Sequence, residues 1–78
     1  MQARADLSFY PLTEDYIDPI KDIIARLNSY SGLTVETNPM STQVTGDYDA
    51  LMTALTETWR YGFETYGKSI FVMKLLPL

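Results

Sequence analysis

Leu33-Thr34-Val35-Glu36-Thr37-Asn38-Pro39-Met40-Ser41-Thr42-Gln43-Val44-Thr45-Gly46 carries two short alternating runs with a proline between them. In the first, Leu33, Val35 and Thr37 fall on one face and Thr34, Glu36 and Asn38 on the other. In the second, Thr42 and Val44 oppose Ser41, Gln43 and Thr45. Alternation with period two marks half-buried strands, because successive side chains of a strand point to opposite faces. Pro39 breaks the run, since proline has no N–H to give a ladder. Parallel strands need a crossover of roughly a dozen residues or more, so two strands this close pair antiparallel. Residues 33–38 and 41–46 are therefore read as a β-hairpin.

Working outward, residues 5–11 alternate in the same way: Ala5, Leu7 and Phe9 against Asp6, Ser8 and Tyr10. That is a third strand, ended by Pro11. Between it and the hairpin, Ile17, Ile20, Ile24 and Leu27, with Ile23 alongside, repeat every three or four residues and predict a helix over 13–31. Thr13 and Asp15 are its candidate N-caps and Gly32 its C′ residue. Pro19 has to fall in or just before the first turn, where its missing N–H costs little. After the hairpin, Leu51, Leu55, Trp59, Phe63 and Tyr66 predict a second helix over 47–66, capped by Asp47 and stopped by Gly67. Residues 68–76, with Ile70, Phe71, Val72 and Met73, read as a last strand.

The order β-α-β-β-α-β specifies one α+β domain of the ferredoxin-like class. It is a four-stranded antiparallel sheet with both helices on one face. The other face is then bare. It carries Asp6, Ser8 and Tyr10, Thr34, Glu36 and Asn38, and Ser41, Gln43 and Thr45. The last strand is apolar on both sides, and such strands are normally covered on both sides. Both helices are already used, so a second copy of the chain is expected over this face or over the Leu75-Leu76-Pro77-Leu78 end, giving a homo-oligomer. The alternative is that this end tucks against its own domain.

Composition narrows the chemistry. The chain has 78 residues, a net charge of −4, six Lys and Arg, and no Cys or His. Disulfides and thiolate metal sites are excluded, and the commonest metal ligand and general base is missing. So small a domain has a thin stability margin, which again favours a partner subunit. Six scattered cations do not make a nucleic-acid surface. No apolar run is long enough for a membrane span, and the first residues lack a signal peptide's apolar core. The expectation is a cytoplasmic protein with no nucleic-acid or membrane partner. Nucleophile-elbow, phosphate-loop and zinc-ligand patterns are all absent, so the expectation is also a non-enzyme without a cofactor. Glu14, Asp15, Asp18 and Asp22 read as a solvated helix start, and Trp59, Phe63 and Tyr66 as core packing.

The hairpin is the candidate site. Asn38, Ser41, Thr42 and Gln43 supply donors and acceptors, Glu36 an anion, and Met40 a soft apolar contact. Ser8 and Tyr10 come from the neighbouring strand. Such a set suits a small polar heteroaromatic or cationic ligand. On the residues alone, an ordinary solvated turn built on Asn38-Pro39 reads equally well.

Three segments tip that balance. Ser8-Phe9-Tyr10-Pro11-Leu12, Asp15-Tyr16-Ile17-Asp18-Pro19-Ile20, and Asn38-Pro39-Met40-Ser41-Thr42 with Gly46 and Asp47 resemble the thiamine/hydroxymethylpyrimidine-binding YkoF family. The likeness extends to its wider superfamily of small thiamine-binding-like proteins. The resemblance implies a ferredoxin-like fold and association through the sheets as a dimer or tetramer. Its implied ligand is thiamine or its pyrimidine moiety, bound without catalysis. The matching motifs carry over Asn38, Met40, Ser41 and Thr42, with Ser8 and Tyr10; Glu36 and Gln43 rest on the face argument alone. A chain that keeps the scaffold for self-association and binds no thiamine is the alternative. Thr42 is in tension, since alternation turns it toward the helices while the motif places it in the site.

Overall fold

The computed structural model describes residues 1–78. Its elements are β1 (Gln2–Pro11), α1 (Ile17–Asn28), β2 (Thr34–Thr37), β3 (Thr42–Asp47), α2 (Tyr48–Tyr66) and β4 (Ser69–Pro77). The sheet is antiparallel throughout, in the order β2-β3-β1-β4. This is the ferredoxin-like α+β arrangement that the element order predicts.

Alternation sorts the faces as expected. Ala3, Ala5, Leu7 and Phe9 of β1 and Val44 of β3 are buried with Ile23 and Leu27 of α1 and Leu51 and Leu55 of α2. Each large aliphatic side chain in that set contributes about 1.5–3 kcal/mol by leaving water. Ile70, Val72 and Leu76 of β4 remain about half exposed on the bare face. The aromatics of α2 behave as packing: Trp59 and Phe63 meet Phe71, which itself stacks on Phe9 with ring centroids 4.4 Å apart.

Two glycines are set by space or by backbone conformation. At Gly46 a Cβ would lie 2.5 Å from the Leu33 side chain and 3.1 Å from the Gly32 carbonyl oxygen. The turn into β2 can lie that close only because residue 46 has no side chain. Gly67 has φ of +72° and ends α2, as expected. Asp47 caps the other end of α2, its carboxylate accepting from the Ala50 N–H at 3.5 Å.

The first helix is shorter than its periodicity suggests. It begins at Ile17, so Thr13 and Asp15 do not cap it; Tyr16 holds the N-cap position with no side-chain bond. Pro19 explains the late start. In a helix begun at residue 13 it would stand in the interior, clashing with the carbonyl four residues back and lacking an N–H. From Ile17 it falls in the first turn, where neither penalty applies. At the far end the Asn28 amide donates to the Ile24 carbonyl and the Ser29 hydroxyl to the Arg26 carbonyl. These side chains close the helix before Gly32, whose φ of +81° serves the turn into β2 rather than the C′ position.

Candidate functional site

The site arises from a mismatch in strand length. β1 pairs with β3 from Gln2↔Asp47 to Leu7↔Thr42 and no further. On its other side β1 pairs with β4 as far as Pro11↔Ser69. Residues 8–11 therefore have a neighbouring strand on one side only. The gap left beyond Thr42 is bounded by β1, by the hairpin tip and by the apolar face of α1. It forms a cavity of about 290 Å³. Ligand pockets begin at roughly 300 Å³, so the space suits a single substituted ring.

Each wall has its own physical origin. The hairpin tip is a two-residue turn, Pro39-Met40, closed by the Asn38 N–H donating to the Ser41 carbonyl at 3.0 Å. No non-glycine residue has a positive φ, so this is not one of the primed turns that match strand twist. Asn38 compensates: its Oδ1 accepts from the Met40 N–H at 2.8 Å and the Ser41 N–H at 3.0 Å. That leaves its Nδ2 without a partner in the chain. Behind the tip, Thr37 and Thr42 share a hydroxyl–hydroxyl hydrogen bond of 3.2 Å. Ile20, Ile23, Ile24 and Leu27 of α1 form the apolar wall, and Tyr16 stands at its start. None of the lining residues carries a charge.

Of the residues singled out from sequence, Ser8, Tyr10, Asn38, Met40, Ser41 and Thr42 line this cavity. Glu36 and Gln43 do not; they stand opposite each other on the bare face of the β2–β3 ladder. The cavity sits at the free edge of β1, where Ser8 and Tyr10 meet it, and extends to the helix side, which resolves the tension at Thr42. Its side chain is buried on the helix side, and the cavity is there too. Tyr16 and the α1 isoleucines belong to the lining without having been singled out, because isoleucines at helical spacing read as core. The available signal was the strand count, since residues 5–11 outrun a hairpin strand that starts near residue 41.

A second polar cluster fixes the apolar wall in place. The Asp22 carboxylate on α1 accepts from the Tyr61 hydroxyl at 2.5 Å and from the Tyr66 hydroxyl, both on α2. These two bonds hold the Asp22 carboxyl below its ordinary value, Tyr61 first and Tyr66 second, with Arg26 adding attraction and burial opposing. Both phenols are pushed up in turn, chiefly by their bonds to Asp22. The Arg26 guanidinium lies 4.5 Å from the Tyr61 ring centroid.

Comparison with known proteins adds to this geometry. The family model for "Thiamine-binding protein" matches residues 5–75. The chain belongs to the thiamine-binding protein family. No curated protein sequence matches it. Among solved structures, a Streptococcus pneumoniae protein superposes with a TM-score of 0.91 at 25% identity, over 100% of this chain and 88% of that one. A hypothetical protein from Methanocaldococcus jannascii gives 0.85 at 25% identity, over 99% and 80%. A Thermotoga maritima protein, provisionally described as a thiamine biosynthesis/salvage protein, gives 0.77 at 20% identity, over 100% and 85%, a likeness of fold. These solved structures share the fold of this chain. No helix is long and apolar enough to cross a membrane.

Proposed function

We propose that this protein binds thiamine or its hydroxymethylpyrimidine moiety in the cavity beyond Thr42, as a non-catalytic binding protein of the cytoplasm. The observation that carries the reading is the joining of two unlike walls in one small uncharged space. The polar tip Asn38–Thr42 faces the apolar side of α1 across about 290 Å³. A flat heterocycle with polar edges and apolar faces satisfies both walls. An uncharged lining favours the neutral pyrimidine inside and the cationic thiazolium toward solvent, since an unpaired buried charge is costly. The family's name and the description of the Thermotoga maritima protein support the same ligand class. Ser8, Tyr10, Asn38, Met40, Ser41 and Thr42 are the proposed contacts. Glu36 and Gln43 would then act outside the cavity, at most through the bare face.

The protein is proposed to work as a homo-oligomer, a dimer or tetramer associated through its sheets. Ile70, Val72 and Leu76 on the bare face support this. They also support the second reading, in which the fold serves self-association and no thiamine binds.

Calorimetry and thermal shift decide between the two. A ligand that binds only the folded state adds about 2.7 kcal/mol at a hundredfold excess over its Kd. For a domain of this size that raises Tm by roughly 10–20 °C. Thiamine, hydroxymethylpyrimidine or their phosphates should produce such a shift. No shift with any of them at millimolar concentration contradicts the reading.

A further inference from the structure

The sheet ladders assign a direction to every backbone group of β1. In an antiparallel pair a residue sends its N–H and C=O to the same side, and its neighbours send theirs to the other. The Leu12 N–H donates to the Lys68 carbonyl at 3.2 Å, and the Leu78 N–H to the Gln2 carbonyl at 2.9 Å. The even positions of β1 therefore bond toward β4. The Tyr48 N–H donates to the Met1 carbonyl at 2.8 Å, so the odd positions bond toward β3. Pairing is one-to-one along both ladders, with no bulge to shift this parity. Phe9 accordingly aims both its N–H and its C=O at the β3 side.

No strand is there to receive them. Pairing with β3 stops at Leu7↔Thr42. The position opposite Phe9 in that register is Met40, at the turn apex. Neither backbone group of Phe9 bonds to the turn residues. Phe9 lines the cavity, so its two unpaired backbone groups are left to water or to whatever enters that space. The next residue aimed this way is Pro11, which brings a carbonyl and no N–H. The free edge therefore presents one donor with one adjacent acceptor, at the rim of the cavity.

We infer that the Phe9 backbone N–H and C=O read the edge of the bound ring, selecting a heterocycle in which a hydrogen-bond donor and acceptor are adjacent. The inference deepens, and rests on, the binding proposed above. In an aminopyrimidine the unprotonated ring nitrogen accepts from the Phe9 N–H, and the neighbouring exocyclic amine donates to the Phe9 carbonyl. The ring thereby occupies the place of the absent strand residue, which is strand addition by a small molecule. A ring without the amine leaves the carbonyl unpaired on binding and loses affinity.

The chain has three phenylalanines, so selective 15N-phenylalanine labelling gives an amide signal for Phe9 beside those of Phe63 and Phe71. The probes are 4-amino-5-hydroxymethyl-2-methylpyrimidine and the same ring lacking the amine. The aminopyrimidine should move the Phe9 amide downfield and slow its hydrogen exchange at least ~10-fold, well beyond any change at Phe63 or Phe71. The ring without the amine should bind about tenfold more weakly or worse. Saturable binding of the aminopyrimidine with the Phe9 amide unmoved, or equal affinity for the two rings, overturns the inference while the binding proposal stands. No calorimetric binding of either ring or of thiamine overturns both.

Discussion

Tyr66 and Tyr61 donate to the same Oδ2 of Asp22, tying the last turns of α2 to the middle of α1. Within two residues of Asp22 on α1, Ile20, Ile23 and Ile24 wall the cavity. The clamp therefore couples the stability of the helix layer to the shape of the site. Tyr66→Phe deletes one donor and leaves the ring. Hydrogen bonds to charged groups are worth about 1.5–3 kcal/mol, and partial exposure of Asp22 brings the expected loss to about 1 kcal/mol. Urea unfolding should register it as a lower midpoint with unchanged slope.

The same clamp has a pH signature. The folded-state value of Asp22 is depressed, so its contribution is present above the ordinary carboxylate value of 3.8. It is lost as pH falls from there through the lowered folded value. Tyr66 has a raised value, so its contribution is present below 10.0 and lost as pH rises beyond it. The stability difference between wild type and Asp22→Asn should be constant near neutrality and shrink below pH ~4. A difference that persists unchanged to pH 2 contradicts the clamp.

Asn38 closes the turn through its Oδ1 and, in the proposed site, offers its free Nδ2, and two substitutions divide these. Asn38→Ala removes the acceptor for the Met40 and Ser41 N–H groups and should cost about 1–2 kcal/mol. Asn38→Asp keeps that acceptor, replaces the free Nδ2 donor with an acceptor and adds a carboxylate charge to the uncharged lining. It should fold with near wild-type stability yet bind the aminopyrimidine several-fold more weakly by calorimetry.

Gly46→Ala tests the close turn into β2. The added Cβ would fall 2.5 Å from Leu33 Cδ2 and 3.1 Å from the Gly32 carbonyl oxygen. The side chain can yield and the backbone cannot, so a loss of about 1–3 kcal/mol is expected in denaturant unfolding.

Val72→Lys addresses assembly. Val72 is 48% exposed on the bare face, so the charge should change monomer stability by no more than about 0.5 kcal/mol. If the sheets associate, sedimentation should show the variant shifted toward monomer relative to wild type.

The fold was legible because strong local signals agreed. Alternation at Ala5-Leu7-Phe9 and Thr42-Val44, the caps at Asp47 and Gly67, and the isoleucine stripe all pointed to one frame. The start of α1 was misplaced because Thr13 and Asp15 are good capping types, while the steric veto of Pro19 acts from inside the helix. The polar half of the candidate site was legible in Asn38–Thr42. Its apolar half was not, since Ile20 and Ile24 look the same whether they face a core or a cavity. Glu36 and Gln43 were drawn in by strand parity, which names a face but not where along the strand a gap opens.

The central claim is that a ring enters the space beyond Thr42. Titrating uniformly 15N-labelled protein with thiamine, and following every backbone amide by NMR, tests it most directly. The account predicts saturable shifts concentrated at Ser8, Phe9, Tyr10, Asn38, Ser41 and Thr42. Shifts centred instead on Glu36 and Gln43 of the bare face, or no shifts at millimolar thiamine, would contradict it.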